Sequence, residues 1–258
     1  MDHSATATGQ TPPERSSKSG SPPHPMLRLF EPIPIAPIVY FRIAFGAIMA
    51  WEIMRFFLLD RIHTYFLTGR FAFKYYGFEW VQPWPRPWLY VHFALVGLAA
   101  AGIALGAAYR LCCILLFVGF TYIYLLDQIY YLNHLYLACL LAFLSLFLPA
   151  HRAQSVDAWL RPRIQQTHVP AWTLLLLRFQ IAVVYIYGGI AKLNIDWLRG
   201  EPIRSWLMSR SNWPMLGSLL NTEAAVWVVC HGGLLLDLFV VPLLFWRRTR
   251  GLALAALI

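Results

Sequence analysis

Long apolar runs broken by short stretches of proline, arginine and tryptophan set the rhythm of this chain. Six runs, at 37–59, 88–107, 110–127, 132–149, 171–193 and 224–246, each approach the ~20 residues with which a helix crosses a bilayer. After "RRTR" at 247–250 a further apolar run, "GLALAALI", begins and ends with the chain after eight residues. The pattern predicts an all-α fold: a polytopic transmembrane helix bundle of about six spans plus the start of another, incomplete at its C-terminus. Residues 1–25, "MDHSATATGQTPPERSSKSGSPPHP", hold no apolar core. They predict a disordered tail, within a boundary drawn at residue 30, and not a signal peptide. Residues 31–258 then form a single transmembrane domain whose first helix is its own insertion signal.

The stretches between the runs agree with a bilayer. Loop 60–87 contains "EWVQPWPRPW", in which Trp80, Trp84 and Trp88 alternate with prolines that forbid continuous helix. Tryptophans so placed predict an interfacial belt at headgroup depth. Loop 194–223 repeats the feature with Trp197, Trp206 and Trp213, and loop 150–170 carries Arg152, Arg161 and Arg163. With the N-terminus inside, Lys and Arg number three in the tail, one at Arg110, three in 150–170 and three in 247–250, ten in all. The opposite side has four in 60–87 and three in 194–223, seven in all, so the bias favours a cytoplasmic N-terminus.

Composition supports the same class. Hydrophobic residues make up 59% of the 258 and charged residues only 13%, against about a quarter in soluble domains. The formal charge of +9 sits mostly at the ends of apolar runs, where it sets topology, and nucleic acid is excluded as a partner. Cys112, Cys113, Cys139 and Cys230 lie in apolar segments without metal-ligand spacing and read as buried thiols; no metal is expected.

Ionisable residues inside spans cost roughly 2.5–3.5 kcal/mol each at the helix centre and require a partner or a purpose. Glu52 and Arg55 stand three apart and read as a pair, while Asp127 lies at a helix end near water. Arg42 and Arg178 read equally as partners of an acid on another helix or as anion holders. In "LLDQIYYLNHLYL", Asn133 and His134 restart a helix, with Tyr130 on the same face as His134. A neutral histidine beside an amide can stabilise developing negative charge, or it can simply be satisfied by a neighbouring helix. In "HGGLLLDL", His231 is either ligand-facing or polar glue, and the glycines after it read as packing devices.

The most unusual group is Lys192 in "VYIYGGIAKLNIDW", one of three lysines in the chain beside Lys18 and Lys74. It either snorkels to the interface, near Asp196, or is a partly desolvated amine that is neutral often enough to act as a base. Gly188 and Gly189, four and three residues before Lys192, would clear room on the same face for a flat ligand.

Five blocks, "FRIAFG" at 41–46, "LLDQIYYLNHLYL" at 125–137, "SVDAWL" at 155–160, "LRFQIAVVYIYGGIAKLNIDWL" at 177–198 and "HGGLLLDL" at 231–238, carry a resemblance. In this order and spacing they resemble the membrane domain of vitamin K-dependent gamma-carboxylases, the HTTM domain, over about residues 35–250. The resemblance implies reduced vitamin K or menaquinol as cofactor, bound among the helices and oxygenated by O2 to its epoxide. A strongly basic oxygenated species then removes a γ proton from a peptide glutamate, and the carbanion adds CO2. It also implies that Lys192, where the family has the second of two lysines, is the base that deprotonates the hydroquinone; Ala191 replaces the first. Asn133 and His134 match the family's Asn-His pair and its charge-stabilising role. Tyr130, Tyr185, Gly188, Gly189 and His231 are the expected cofactor-binding residues.

Full-length animal members continue into a lumenal region that helps hold a propeptide-bearing substrate. Nothing after Ile258 supplies one, and loop 60–87 lacks the cysteine that ties the two regions together. The expectation is therefore a multi-pass membrane enzyme with the bilayer, a quinol and a glutamate-containing peptide as partners. A non-catalytic quinone- or lipid-binding module is the alternative. A transporter would show internal repeats or helices broken in matching halves, which the sequence lacks.

Overall fold

The computed structural model describes residues 27–68, 71–209, 217, 222–245 and 248–249. The expected tail up to residue 26 and the apolar run 251–258 lie outside the described residues. Residues 27–30 do not belong to a disordered tail: Leu27–Phe30 is a 3₁₀ turn leading into strand β1, Pro32–Pro34. Among the described residues the fold is all-α apart from β1 and β2, His168–Pro170, which pair antiparallel with Ile33 opposite Val169.

Helix α1 (Ala36–Leu58) opens with proline at its first turn, where no amide is lost, and buries Ile38, Arg42, Phe45, Gly46, Met49, Ile53 and Phe56 along one stripe. That stripe packs on α3 (Arg86–Leu105), which presents Leu89, Phe93, Val96, Ala100 and Ile103. At Gly46 the backbones all but touch: a Cβ there would lie 2.4 Å from Ala104 N. Short helix α2 (Arg61–Phe66) follows the left-handed Asp60 and occupies part of what the sequence predicted as loop.

α3 ends at Gly106, whose φ of +67° a side chain would strain, and α4 (Tyr109–Leu125) follows at once. The "SVDAWL" block explains how. Ser155 caps α6 (Val156–Leu160) by accepting from Ala158 N, while the Asp157 carboxylate accepts from Ala108 N and Tyr109 N at 2.8 and 2.9 Å and caps α4. α5 (Asn133–Ser145) packs against α4, α7 (Trp172–Ala191) leaves the β ribbon, and α8 (Ile195–Leu198) and α9 (Glu201–Met208) lead toward α10 (Glu223–Phe245). α7 packs chiefly on α10.

Among the described residues four helices, α1, α3, α7 and α10, are long and apolar enough to cross a membrane, and the chain is a multi-pass membrane protein. Two of the six predicted spans are shorter than expected. α4 has 17 residues and α5 has 13, or about 20 Å of rise for α5 against a hydrocarbon core of ~30 Å. α5 falls short at its C-terminal end, stopping at Ser145 ahead of Pro149, whereas α4 is ended by Asp127. Asp127 is 8% exposed, not held in water at a helix end as its position suggested, and its Oδ1 accepts from Phe73 N and Ile129 N. By bonding these two amides it draws the chain out of α-helix into a 3₁₀ turn at Gln128–Tyr130 before α5 restarts. The four cysteines are free; three are buried and Cys112 is half-buried. Trp80, Trp84 and Trp88 are exposed, where a belt requires them.

Candidate functional site

A cavity of about 480 Å³ opens between α1, α2, α4 and the start of α5. Tyr65 and Tyr130 stack at 4.1 Å between ring centroids in its wall, with Phe66 meeting Tyr130 edge-on. His134 lines it, as do Glu52, Arg55, Arg61 and Asp127. The predicted pair of Glu52 and Arg55 is present, with Arg55 Nη1 donating to Glu52 Oε2 at 2.7 Å. Asn133 is exposed at the first position of α5 and does not line the cavity.

Lys192 lies elsewhere. α1 and α7 both run away from the β1–β2 ribbon, so Lys192, just past the end of α7, comes to the same end of the bundle as His134. Its amine, however, donates to Asp237 Oδ2 of α10 at 2.5 Å and sits 5.1 Å from the Trp197 ring centroid. It neither lines the cavity nor pairs with Asp196. The pairing across helices has a packing cause. A Cβ on Gly188 would stand 3.0 Å from Asp237 Oδ2, and one on Gly189 would stand 2.6 Å from Leu238 Cδ2. The room that Gly188 and Gly189 were expected to clear for a flat ligand is thus filled by α10.

Tyr185 is half-buried on α7 and does not line the cavity. His231 Nδ1 lies 3.1 Å from the Trp227 carbonyl, and its ring stacks on the Trp227 indole at 4.6 Å. Arg42, 1% exposed, meets no acid within ion-pair distance among the described residues; its Nη2 donates to the Gln154 carbonyl at 2.6 Å while Nη1 packs on Gly106. Arg178 is exposed on α7.

Outside the spans, Lys74, Tyr75 and His151 have shifted ionisation, with burial raising the Tyr75 pKa. Lys74 donates to the Leu126 carbonyl, and burial lowers its pKa although Asp127 opposes the shift. His151 stacks on Tyr109, and burial, reinforced by the Arg110, Arg152 and Arg42 charges, holds its pKa below the ordinary 6.5 despite Asp157.

A family model described as the HTTM domain matches residues 30–258. The chain belongs to the HTTM domain family. This is the domain found in the vitamin K-dependent gamma-carboxylase family. No solved structure matches the chain.

Within this HTTM domain the sequence pointed to Tyr130 and His134, which share the cavity, and missed Tyr65 and Arg61; Asp237 stands out in the sequence as an ionisable residue in a span, but its pairing with Lys192 was not read from it. Asp237 had a signal: an acid and a lysine in two otherwise apolar helices each need a counter-charge. Tyr65 and Arg61 had none, because the segment holding them read as loop.

Proposed function

We propose that the protein is a membrane enzyme that couples oxygenation of a reduced naphthoquinone, of the vitamin K or menaquinol type, to carboxylation of glutamate. The observation that carries this reading is the aromatic cavity holding His134, the histidine of the matched Asn-His pair, inside an HTTM domain. The cavity suits the group. Its volume falls in the usual range of small-molecule sites, roughly 300–1,000 Å³, and its wall combines tyrosine and phenylalanine rings with a few polar groups.

The quinol supplies reducing power toward O2, from which a base strong enough to ionise a C–H bond is drawn. The chain's part is narrower. Tyr65 and Tyr130 would hold the ring by stacking, Phe56, Phe66 and Phe120 would keep water from it, and His134 would meet charge that develops on a ring oxygen. Lys192 would act as base only after its amine had left Asp237, which favours the ammonium form, and had released its proton to water; the neutral amine would then accept a proton from the quinol hydroxyl. Because Lys192 does not line the cavity, this role requires its side chain to turn away from α10.

The decisive experiment incubates purified protein in detergent with reduced vitamin K or menaquinol and O2 and measures the epoxide. Turnover is expected, and a folded protein that forms none overturns the reading. One observation favours a second reading, a quinone- or lipid-binding module without catalysis: the Lys192 amine is already committed to Asp237. Quinol binding without epoxide would support it.

A further inference from the structure

The cavity holds a charge arrangement that ring binding does not use. Arg55 Nη1 reaches Glu52 Oε2 at 2.7 Å, and Arg61 Nη1 stands 3.8 Å from Glu52 Oε1, so each oxygen of one carboxylate faces its own guanidinium. The two arginines come from different helices, α1 and α2, which the left-handed Asp60 turn folds toward one another. Two cations on one anion leave a surplus positive charge. Among the described residues Asp127, the other carboxylate lining the cavity, stands in no ion pair with either arginine; its Oδ1 is bonded to the amides of Phe73 and Ile129.

Glu52 is a weakly held occupant of this cradle. It is three residues from Arg55 on the same helix, its side chain is 23% exposed, and its contact with Arg61 is long, at 3.8 Å. Its three side-chain torsions let it swing aside without moving α1.

We propose that Arg55 and Arg61 form a carboxylate-binding end of the cavity, in which Glu52 stands in for a ligand carboxylate until that ligand displaces it. A planar group with two oxygens, each met by a separate guanidinium, matches a carboxylate better than a tetrahedral phosphate. The ligand chemistry is a carboxylate on a short flexible stem, carried either by a glutamyl side chain or by a fatty acid of the bilayer. The proposal rests on the cavity being the functional site and deepens that reading: it places an acidic substrate group beside the ring site. Neutralising a glutamyl carboxylate there also eases loss of the adjacent C–H proton.

The test uses the full chain in detergent and measures binding of a short glutamyl peptide, its glutaminyl isostere and octanoate. The glutamyl peptide is expected to bind and the isostere to fail. Glu52→Gln, which removes the competing carboxylate, should tighten binding about tenfold, and Arg61→Gln should weaken it by about as much, with Arg61→Lys between. A gain in Glu52→Gln cannot come from misfolding. Octanoate binding in place of the peptide would assign the site to a bilayer acid. Equal binding of peptide and isostere with no octanoate binding, or unchanged affinity of the binding carboxylate in Glu52→Gln, would overturn the proposal. Epoxide formation without any peptide reads the quinol chemistry separately, so either idea can fail while the other stands.

Discussion

At the scale of single residues, Lys192 and Asp237 make a joint prediction. Lys192→Ala should abolish epoxide formation in a folded protein, with partial rescue by a small exogenous amine. Lys192→Arg should stay inactive, because a guanidinium does not give up its proton at working pH. Asp237→Asn keeps an oxygen that can accept from the amine but removes its counter-charge, and should lower stability by about 1–3 kcal/mol as read by thermal melting in detergent. Wild-type epoxidation by Lys192→Ala would remove the lysine from the chemistry. His151 sets a pH dependence. Its folded pKa lies below 6.5, so between that value and 6.5 the unfolded chain binds the extra proton. Stability contributed by this group is therefore present above pH 6.5 and is lost as pH falls toward the folded pKa. His151→Gln should make the melting temperature less sensitive to acidification across that window.

Among elements, close backbone approach governs the bundle, and the glycines differ in what they face. Gly46→Ala would drive a methyl into the Ala104 backbone between α1 and α3, and should cost about 1–3 kcal/mol. Gly189→Ala should cost less, since much of what it meets is the Leu238 side chain, which can turn. Gly232→Ala meets nothing within 4 Å and should leave the melting temperature unchanged. Equal effects at all three positions would contradict this packing. The Asp157 carboxylate, which caps a helix other than its own, should cost about 0.5–2 kcal/mol when replaced by alanine.

For the whole molecule, the β1–β2 ribbon holds the start of α1 and the start of α7 on one side. Loop 150–170 belongs to that side, and the Trp80 loop and the cavity belong to the other. Cysteine substitutions at exposed Trp159 and exposed Trp80, in a background lacking the four native cysteines, should react with an impermeant label from opposite faces of sealed vesicles. Labelling from the same face would break the topology. The positive-residue bias predicts that Trp159 faces the cytoplasm.

Much of the architecture was legible along the chain because membrane insertion is a local property: apolar length, flanking charge and tryptophan placement each act on one segment at a time. That is why six helices, the pairing of Glu52 with Arg55, and the family blocks around His134 and Lys192 could be read before any contact was known. What the tertiary structure decided was every question of facing. The end of α4 follows from the reach of Asp127 to the amide of Phe73, 54 residues away in sequence. Gly188 and Gly189 turned out to admit α10, and Lys192 turned to Asp237, 45 residues on. Tyr65 entered the cavity only because α2 folds back on Tyr130. A single amine or carboxylate in an apolar helix announces that it needs a partner, but which partner it meets depends on helix packing, and packing depends on shapes supplied by distant parts of the chain.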